Sequence, residues 1–186
     1  CHKKQNIQHY SESVHAKNNV TCESCHGGGH VVKKIAKNEV SATCGKCHGE
    51  HQKNFNNSIH MQVMNKGNQN APTCTDCHGS HKIIRGKISV ESQACLECHL
   101  DEKKFPGEEK GSAKFVQHYK TSIHASVEKD GLREAAGCVD CHGNHMIQEP
   151  NNPKASTNRA RLIETCGKCH KETVAHFKKS KHGQEL

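Results

Sequence analysis

The chain has 186 residues, of which 32% are hydrophobic, only 3% are aromatic and none is Trp. A mean hydropathy of −0.90 excludes an ordinary hydrophobic core, and a chain this polar would normally be disordered. No apolar run reaches the length of a membrane span, so we predict no membrane-spanning segment.

The pattern C-x-x-C-H occurs six times and explains how so polar a chain can fold. Two cysteines at this spacing can form thioethers with the vinyl groups of a haem, and the adjacent histidine can ligate the iron. A zinc site, a redox dithiol or a disulfide framework gives no reason for a His after every second Cys. The predicted haem-attaching cysteines are Cys22, Cys25, Cys44, Cys47, Cys74, Cys77, Cys95, Cys98, Cys138, Cys141, Cys166 and Cys169. The predicted proximal iron ligands are His26, His48, His78, His99, His142 and His170.

Six haems would leave about 31 residues for each, so the cofactors themselves would form the core. We therefore predict short α-helices and coil with little β structure, wrapped around haem. The formal charge of +8 would ordinarily suggest nucleic acid or an anionic membrane as a partner. Haem propionates cancel most of that charge, so we predict no nucleic-acid partner.

At the N-terminus, Cys1-His2 has two interpretations. It is either the acylated cysteine of a lipoprotein or the end of a seventh haem motif. The run Cys169–Gly183 matches Cys1–Ala16 with one residue inserted, which favours the second interpretation. We therefore predict a seventh haem at Cys1, with His2 as its proximal ligand, in a piece of a longer array.

A second repeated pattern consists of an aromatic residue, two further residues, and Ser-x-His. We predict that it is helical, with one helix over about 113–127, and that its histidines ligate the distal side of haem irons. Its four histidines are His15, His60, His124 and His182. Three more histidines trail a haem motif by three or four residues and complete the predicted distal set: His30, His81 and His145. The seven distal candidates equal the seven proximal ones, which predicts bis-His irons throughout.

Capping signals predict a short helix at each haem motif. Thr commonly caps helix starts and Gly commonly ends helices. The predicted N-caps are Thr21, Thr43, Thr73 and Thr165, and the predicted helix ends are Gly27, Gly49, Gly79 and Gly143. Val31–Ile35 and Ile83–Val90 are the best candidates for short strands.

These patterns alternate in a fixed order and define three complete units. Each unit has a Ser-x-His pattern, a first haem motif with a trailing histidine, and a second haem motif. We predict one continuous haem-wrapped domain divided at 1–48, 49–99, 100–170 and 171–186, the last being the start of a further unit. His182 could then ligate a haem of a neighbouring subunit in a head-to-tail chain.

Four histidines remain outside the two distal sets. His51 follows the haem motif that ends at His48 and is an alternative distal ligand. His9, His118 and His176 precede the aromatic of the Ser-x-His pattern, where the second copy has Asn54. A ligand position should not accept Asn, so we predict packing or propionate contacts there and keep ligation as the alternative.

The run Ser58-Ile59-His60, followed by Cys74-Thr75-Asp76-Cys77-His78-Gly79-Ser80-His81, resembles multihaem c-type cytochromes with doubled C-x-x-C-H repeats. It is similar to the repeat of decahaem electron conduits and related respiratory cytochromes. The resemblance implies closely spaced haems that pass electrons between membrane donors and external acceptors, and some extracellular members polymerise into filaments.

The predicted function is therefore electron transfer along a row of low-spin haems, in respiratory or extracellular electron transfer, without enzymatic activity. Redox proteins or extracellular acceptors are the predicted partners. Attachment of haem c occurs outside the cytoplasmic membrane, which predicts a periplasmic or extracellular protein. The alternative is a multihaem reductase of a small oxyanion, which would need one open iron position.

Overall fold

A computed structural model of the chain describes residues 7, 9–29, 33–84, 92–101, 103–104, 110–129 and 135–185. Within these residues, short α-helices are joined by turns and coil, and there is no β-strand. In chain order, α1 to α13 span Val14–Lys17, Cys22–His26, Val40–Gly45, Gly49–Asn56, Ile59–Asn65, Cys74–His78, Ser92–His99, Lys110–Lys120, Ile123–Lys129, Cys138–His142, Leu162–Gly167, Lys171–Lys179 and Lys181–Gln184. The predicted fold class is confirmed.

The first haem motif of each unit forms its own one-turn helix. Helices α2, α6 and α10 begin at the first Cys and end at the proximal His. The N-cap N–H donates to a side chain three residues on, in the pairs Thr21–Ser24 (3.2 Å), Thr73–Asp76 (2.6 Å) and Gly137–Asp140 (2.9 Å). A glycine with φ of 75° to 77° follows each helix, at Gly27, Gly79 and Gly143. The predicted caps at Thr21 and Thr73 and these three helix ends are confirmed.

The second haem motifs of the first and third units are built differently, and three cap predictions are wrong there. A 3-10 turn precedes α3 and α11, at Lys37–Glu39 and Arg159–Arg161, so each helix is nucleated before its motif begins. Thr43 and Thr165 consequently lie inside helices. Gly49 is the first residue of α4 and ends no helix.

The Ser-x-His pattern is a break between two helices, which we call the Ser-x-His turn. In all four copies the serine N–H donates to the carbonyl of the aromatic residue at 2.9 Å. The serine Oγ accepts the N–H three residues further on, at 3.1–3.4 Å. The serine is therefore an N-cap, and the histidine is the second residue of the new helix.

The predicted single helix over about 113–127 is accordingly wrong. Helix α8 ends at Lys120, and α9 begins at Ile123 after the Ser122 cap. The aromatic residue and the residue after the serine therefore belong to different helices. Phe55 lies on α4, whereas Ile59 begins α5.

Buried apolar side chains are few among the described residues. They are Val40, Phe55, Ala71, Ala125 and Ala155. The most deeply buried side chains are instead the cap serines Ser13 and Ser58, each 0% exposed. Helix α3 packs against α4 and α6, and α7 packs against α6 and α10, so the haem-motif helices are one another's neighbours.

Several predictions concern residues outside the described part of the chain. Cys1, His2 and His30 lie there, as do most residues of the strand candidates. The described remainders, 33–35 and 83–84, are not strands. Among the described helices, none is long and apolar enough to cross a membrane.

Candidate haem-binding row

Besides His48–His51, which are close neighbours in sequence with ring centroids 6.1 Å apart, five pairs of imidazole rings face each other with their centroids 6.0–6.3 Å apart. Each pair combines a predicted proximal ligand with a predicted distal one. The pairs are His15–His48, His26–His81, His60–His99, His78–His145 and His124–His170.

This separation fits an iron between the rings. A metal–imidazole bond is about 2 Å long and the ring centre lies about 1 Å beyond the nitrogen, so two imidazoles on opposite sides of one iron have centroids about 6 Å apart. All twelve described cysteines are unbridged. In the described part of the chain, no three His, Cys, Asp or Glu side chains converge as a zinc site would require. The donor set therefore fits haem better than zinc or disulfides.

The pairs follow two rules. The histidine of a Ser-x-His turn faces the second haem motif of its own unit, as His60 faces His99. A trailing histidine faces the first haem motif of the preceding unit: His81 faces His26, and His145 faces His78. Successive units are therefore interlocked.

Backbone hydrogen bonds repeat the same interlock. The residue between Ser and His in the turn donates its N–H to the carbonyl two residues after the next unit's trailing histidine. Val14 donates to Ile83, and Ile59 donates to Ile147, both at 2.8 Å. Ile83 and Ile147 were missed from the sequence, although both occur in the pattern His-x-Ile.

Between units, the sulfur atoms of successive haem motifs lie next to each other. A hydrogen bond between the Cys44 and Cys74 thiols lowers the pKa of Cys74 to about 7 and raises the pKa of Cys44. A hydrogen bond to Cys138 likewise raises the pKa of the Cys95 thiol. With haem attached these sulfur atoms are thioethers and have no S–H to donate. The contacts therefore indicate only that successive motifs lie close together.

Within each unit the two haem motifs are also adjacent. Burial, followed by the charge of Cys44, raises the pKa of Cys25. Burial and the neighbouring Cys166 raise the pKa of Cys141 in the same way. Cys77 lies close to both Cys95 and Cys98. Each motif is therefore near the next one in chain order, with helix packing between α3, α6, α7 and α10.

The buried imidazoles favour the neutral form, which is the form that ligates a metal. Burial, with His99 nearby, lowers the pKa of His60 to about 4. Burial also lowers the pKa of His78, His99, His142 and His145. The His26 Nδ1–H donates to the Lys33 carbonyl at 3.0 Å, which leaves Nε2 for a metal. Nothing in the sequence identifies the Lys33 carbonyl as the hydrogen-bond partner of His26.

Other described histidines lie outside the five pairs. The His51 ring lies 4.5 Å from that of His145 and 6.1 Å from that of His48. His51 is exposed, as are His9, His118, His176 and His182. His9 contacts Glu12 at 3.2 Å. Among the described rings, none faces His142 at the 6 Å separation.

Replacing the cap serine of the first Ser-x-His turn should destabilise the protein. We expect Ser13→Ala to lower the free energy of unfolding by about 1 kcal/mol, because the Ala16 N–H loses its acceptor in a buried place. Denaturant unfolding of the haem-loaded protein measures this. Ser11→Ala, two residues away at an exposed position, is the control and should change it little. Equal effects of the two substitutions would contradict the capping role.

Two family models match parts of the chain. Residues 14–100, which cover most of the first two units, match the family model described as cytochrome c3. Residues 124–175, in the third unit, match the model described as doubled CXXCH motif. No curated protein and no solved structure matches the chain. The chain therefore belongs to the multihaem c-type cytochromes, which bind haem c through C-x-x-C-H motifs and transfer electrons.

Proposed function

We propose that this protein conducts electrons along a row of six haems, one at each complete C-x-x-C-H motif. The observation that carries the proposal is the succession of neighbouring motifs: helices α3, α6, α7 and α10 pack against one another in chain order, and the charges of Cys44 and Cys166 reach Cys25 and Cys141 of the adjacent motifs. Haem c supplies the one-electron chemistry, and the polypeptide supplies spacing, ligands and insulation.

The five imidazole pairs support bis-His ligation of five of the six irons. Two imidazoles favour a low-spin iron with a low reduction potential compared with Met/His ligation. In this assignment the Ser-x-His turn supplies His15, His60 and His124, and the trailing set supplies His81 and His145. The interlocked units support treating 1–48, 49–99, 100–170 and 171–186 as parts of one continuous domain.

A reductase of a small oxyanion is the competing function. Such an enzyme needs an iron with a position open to substrate, and its motif often has Lys in place of the proximal His, whereas every complete motif here ends in His. We assign this chain no enzymatic activity. We place it in the periplasm or outside the cell, exchanging electrons with redox proteins or external acceptors, because haem c is attached outside the cytoplasmic membrane.

Interrupting the row tests the function. The variant C95A/C98A removes a haem from the middle of the row, and C166A/C169A removes one from the sixth motif. Redox titration should count six electrons in the parent and five in each variant. After a flash reduces one haem, the electron should redistribute among the remaining haems. This redistribution should slow only in C95A/C98A, because this variant alone removes a haem that lies between others in the row. Equal rates in the two variants would contradict conduction along the row.

Head-to-tail assembly is a finer part of the proposal. His182 lies in a cleft lined by Leu162, Ile163 and Phe177, together with Arg159 and Glu185. Apolar walls, an imidazole and a cation suit the face, iron and propionates of a haem. We propose that His182 ligates a haem of a neighbouring subunit, as in a filament. Normal assembly of His182→Ala in electron micrographs would count against this.

A further inference from the structure

The third unit has the same Ser-x-His turn as the first two units. In the described part of the chain, however, this turn lacks the hydrogen bond that joins the other two turns to the following unit. Ile123 corresponds to Val14 and Ile59, whose N–H groups bond the His-x-Ile segment of the following unit. In the described part of the chain, no carbonyl accepts the Ile123 N–H. The Ile123 side chain is 72% exposed.

A second observation concerns the haem site beside this turn. His142 corresponds to His26 and His78, which face His81 and His145 of the following unit. None of the described imidazoles faces His142 in this way. In the first unit, a single segment reaches both places: His81 faces His26, and Ile83 accepts the Val14 N–H. The two unfilled positions of the third unit are therefore spaced for one segment.

We propose that the third unit binds a His-x-Ile or His-x-Val segment of a further doubled-motif unit, which is not among the described residues. Its imidazole would take the sixth position of the haem at Cys138–His142, and its carbonyl two residues on would accept the Ile123 N–H. The two interlocks already present within the chain support this occupant, because both use this pattern. The inference rests on the haem ligation proposed above.

Ligand titrations of the haem-loaded 186-residue protein test the open position. We expect one high-spin ferric iron per chain by electron paramagnetic resonance, and one carbon monoxide bound per chain after full reduction. A peptide with the sequence of residues 79–84 should convert that iron to low spin. It should bind about tenfold more tightly than free imidazole, since it adds one hydrogen bond. The same peptide with Ala in place of His should leave the spin state unchanged.

Proline variants test the hydrogen bond separately. Proline lacks an N–H but is favoured at the first position of a helix, so Ile123→Pro should keep α9 intact. We expect it to retain one bound carbon monoxide per chain and to lose the tenfold preference for the peptide. Lys181→Pro, the same change at the start of α13, is the matched control and should keep that preference.

Three results would overturn the proposal. One is the absence of any high-spin iron or bound carbon monoxide, which would mean that the chain itself fills all six irons. Another is a peptide that binds no better than imidazole. The third is carbon monoxide uptake that falls as protein concentration rises, which would assign the position to a second copy of this chain. Fast electron redistribution in the flash experiment described above, measured on the same sample, would show that electron transfer along the row stands regardless.

Discussion

Without its haems, the chain should show no cooperative unfolding transition and should lose most of its helical circular dichroism. The helices have 4 to 11 residues, and isolated helices this short are marginal in water. The part of the chain that the structure describes has five buried apolar residues, three of them alanines, and these cannot offset the conformational entropy of so many ordered residues. Calorimetry and far-ultraviolet circular dichroism of protein produced without haem attachment measure this.

The single-haem variant C166A/C169A is the control for this experiment. It lacks two thiols and one cofactor but keeps the other five haems, so it should still unfold cooperatively, at a lower temperature than the parent. A haem-free chain that melts cooperatively would show that the polypeptide has a core of its own. The haems would then bind to a chain that folds without them.

Removing one trailing histidine should change the haem of the preceding unit. We expect His145→Ala to convert the iron held by His78 from low to high spin, because the two rings face each other at 6.0 Å. The change should appear as one additional high-spin iron per chain by electron paramagnetic resonance. Added imidazole should reverse it, whereas a merely structural defect would not be reversed.

His51→Ala is the matched control. The His51 ring lies only 4.5 Å from that of His145, so its removal disturbs the same neighbourhood. That separation is too short for an iron between His51 and His145. The His51 ring also lies 6.1 Å from that of His48, but His48 already faces His15 at 6.0 Å, so the number of low-spin irons should stay unchanged. If His51→Ala produced the high-spin iron and His145→Ala did not, the trailing histidine would be assigned wrongly and His51 would be the ligand.

The haem motifs and the helical class could be predicted from sequence because covalent attachment demands fixed residue types at fixed spacing. Thr73 and Gly79 cap a helix through local hydrogen bonds, and local signals are readable in sequence. Thr43 carries the same local signal but lies inside a helix that began earlier, at Val40. Thr is therefore an N-cap at position 73 and an interior helix residue at position 43. The difference depends on whether the preceding residues have already begun a helix.

The pairing of imidazoles could not be predicted, because it depends on contacts between units. Counting histidines gave equal numbers of proximal and distal candidates but no partner for each. The bond from Val14 to Ile83 joins residues far apart in the chain, and backbone groups carry no residue-specific signal. The Ser-x-His turn was read as continuous helix because its serine was not recognised as a cap.

The interlock between units has a consequence for biosynthesis. His81 belongs to the second unit and faces a haem site of the first. If it ligates that iron as proposed, the first iron of a unit cannot gain its distal ligand until the next unit has emerged. Export and haem attachment that proceed from the N-terminus would therefore leave one iron five-coordinate at the growing end. Each newly translocated unit would complete the one before it, so maturation would advance one unit behind translocation.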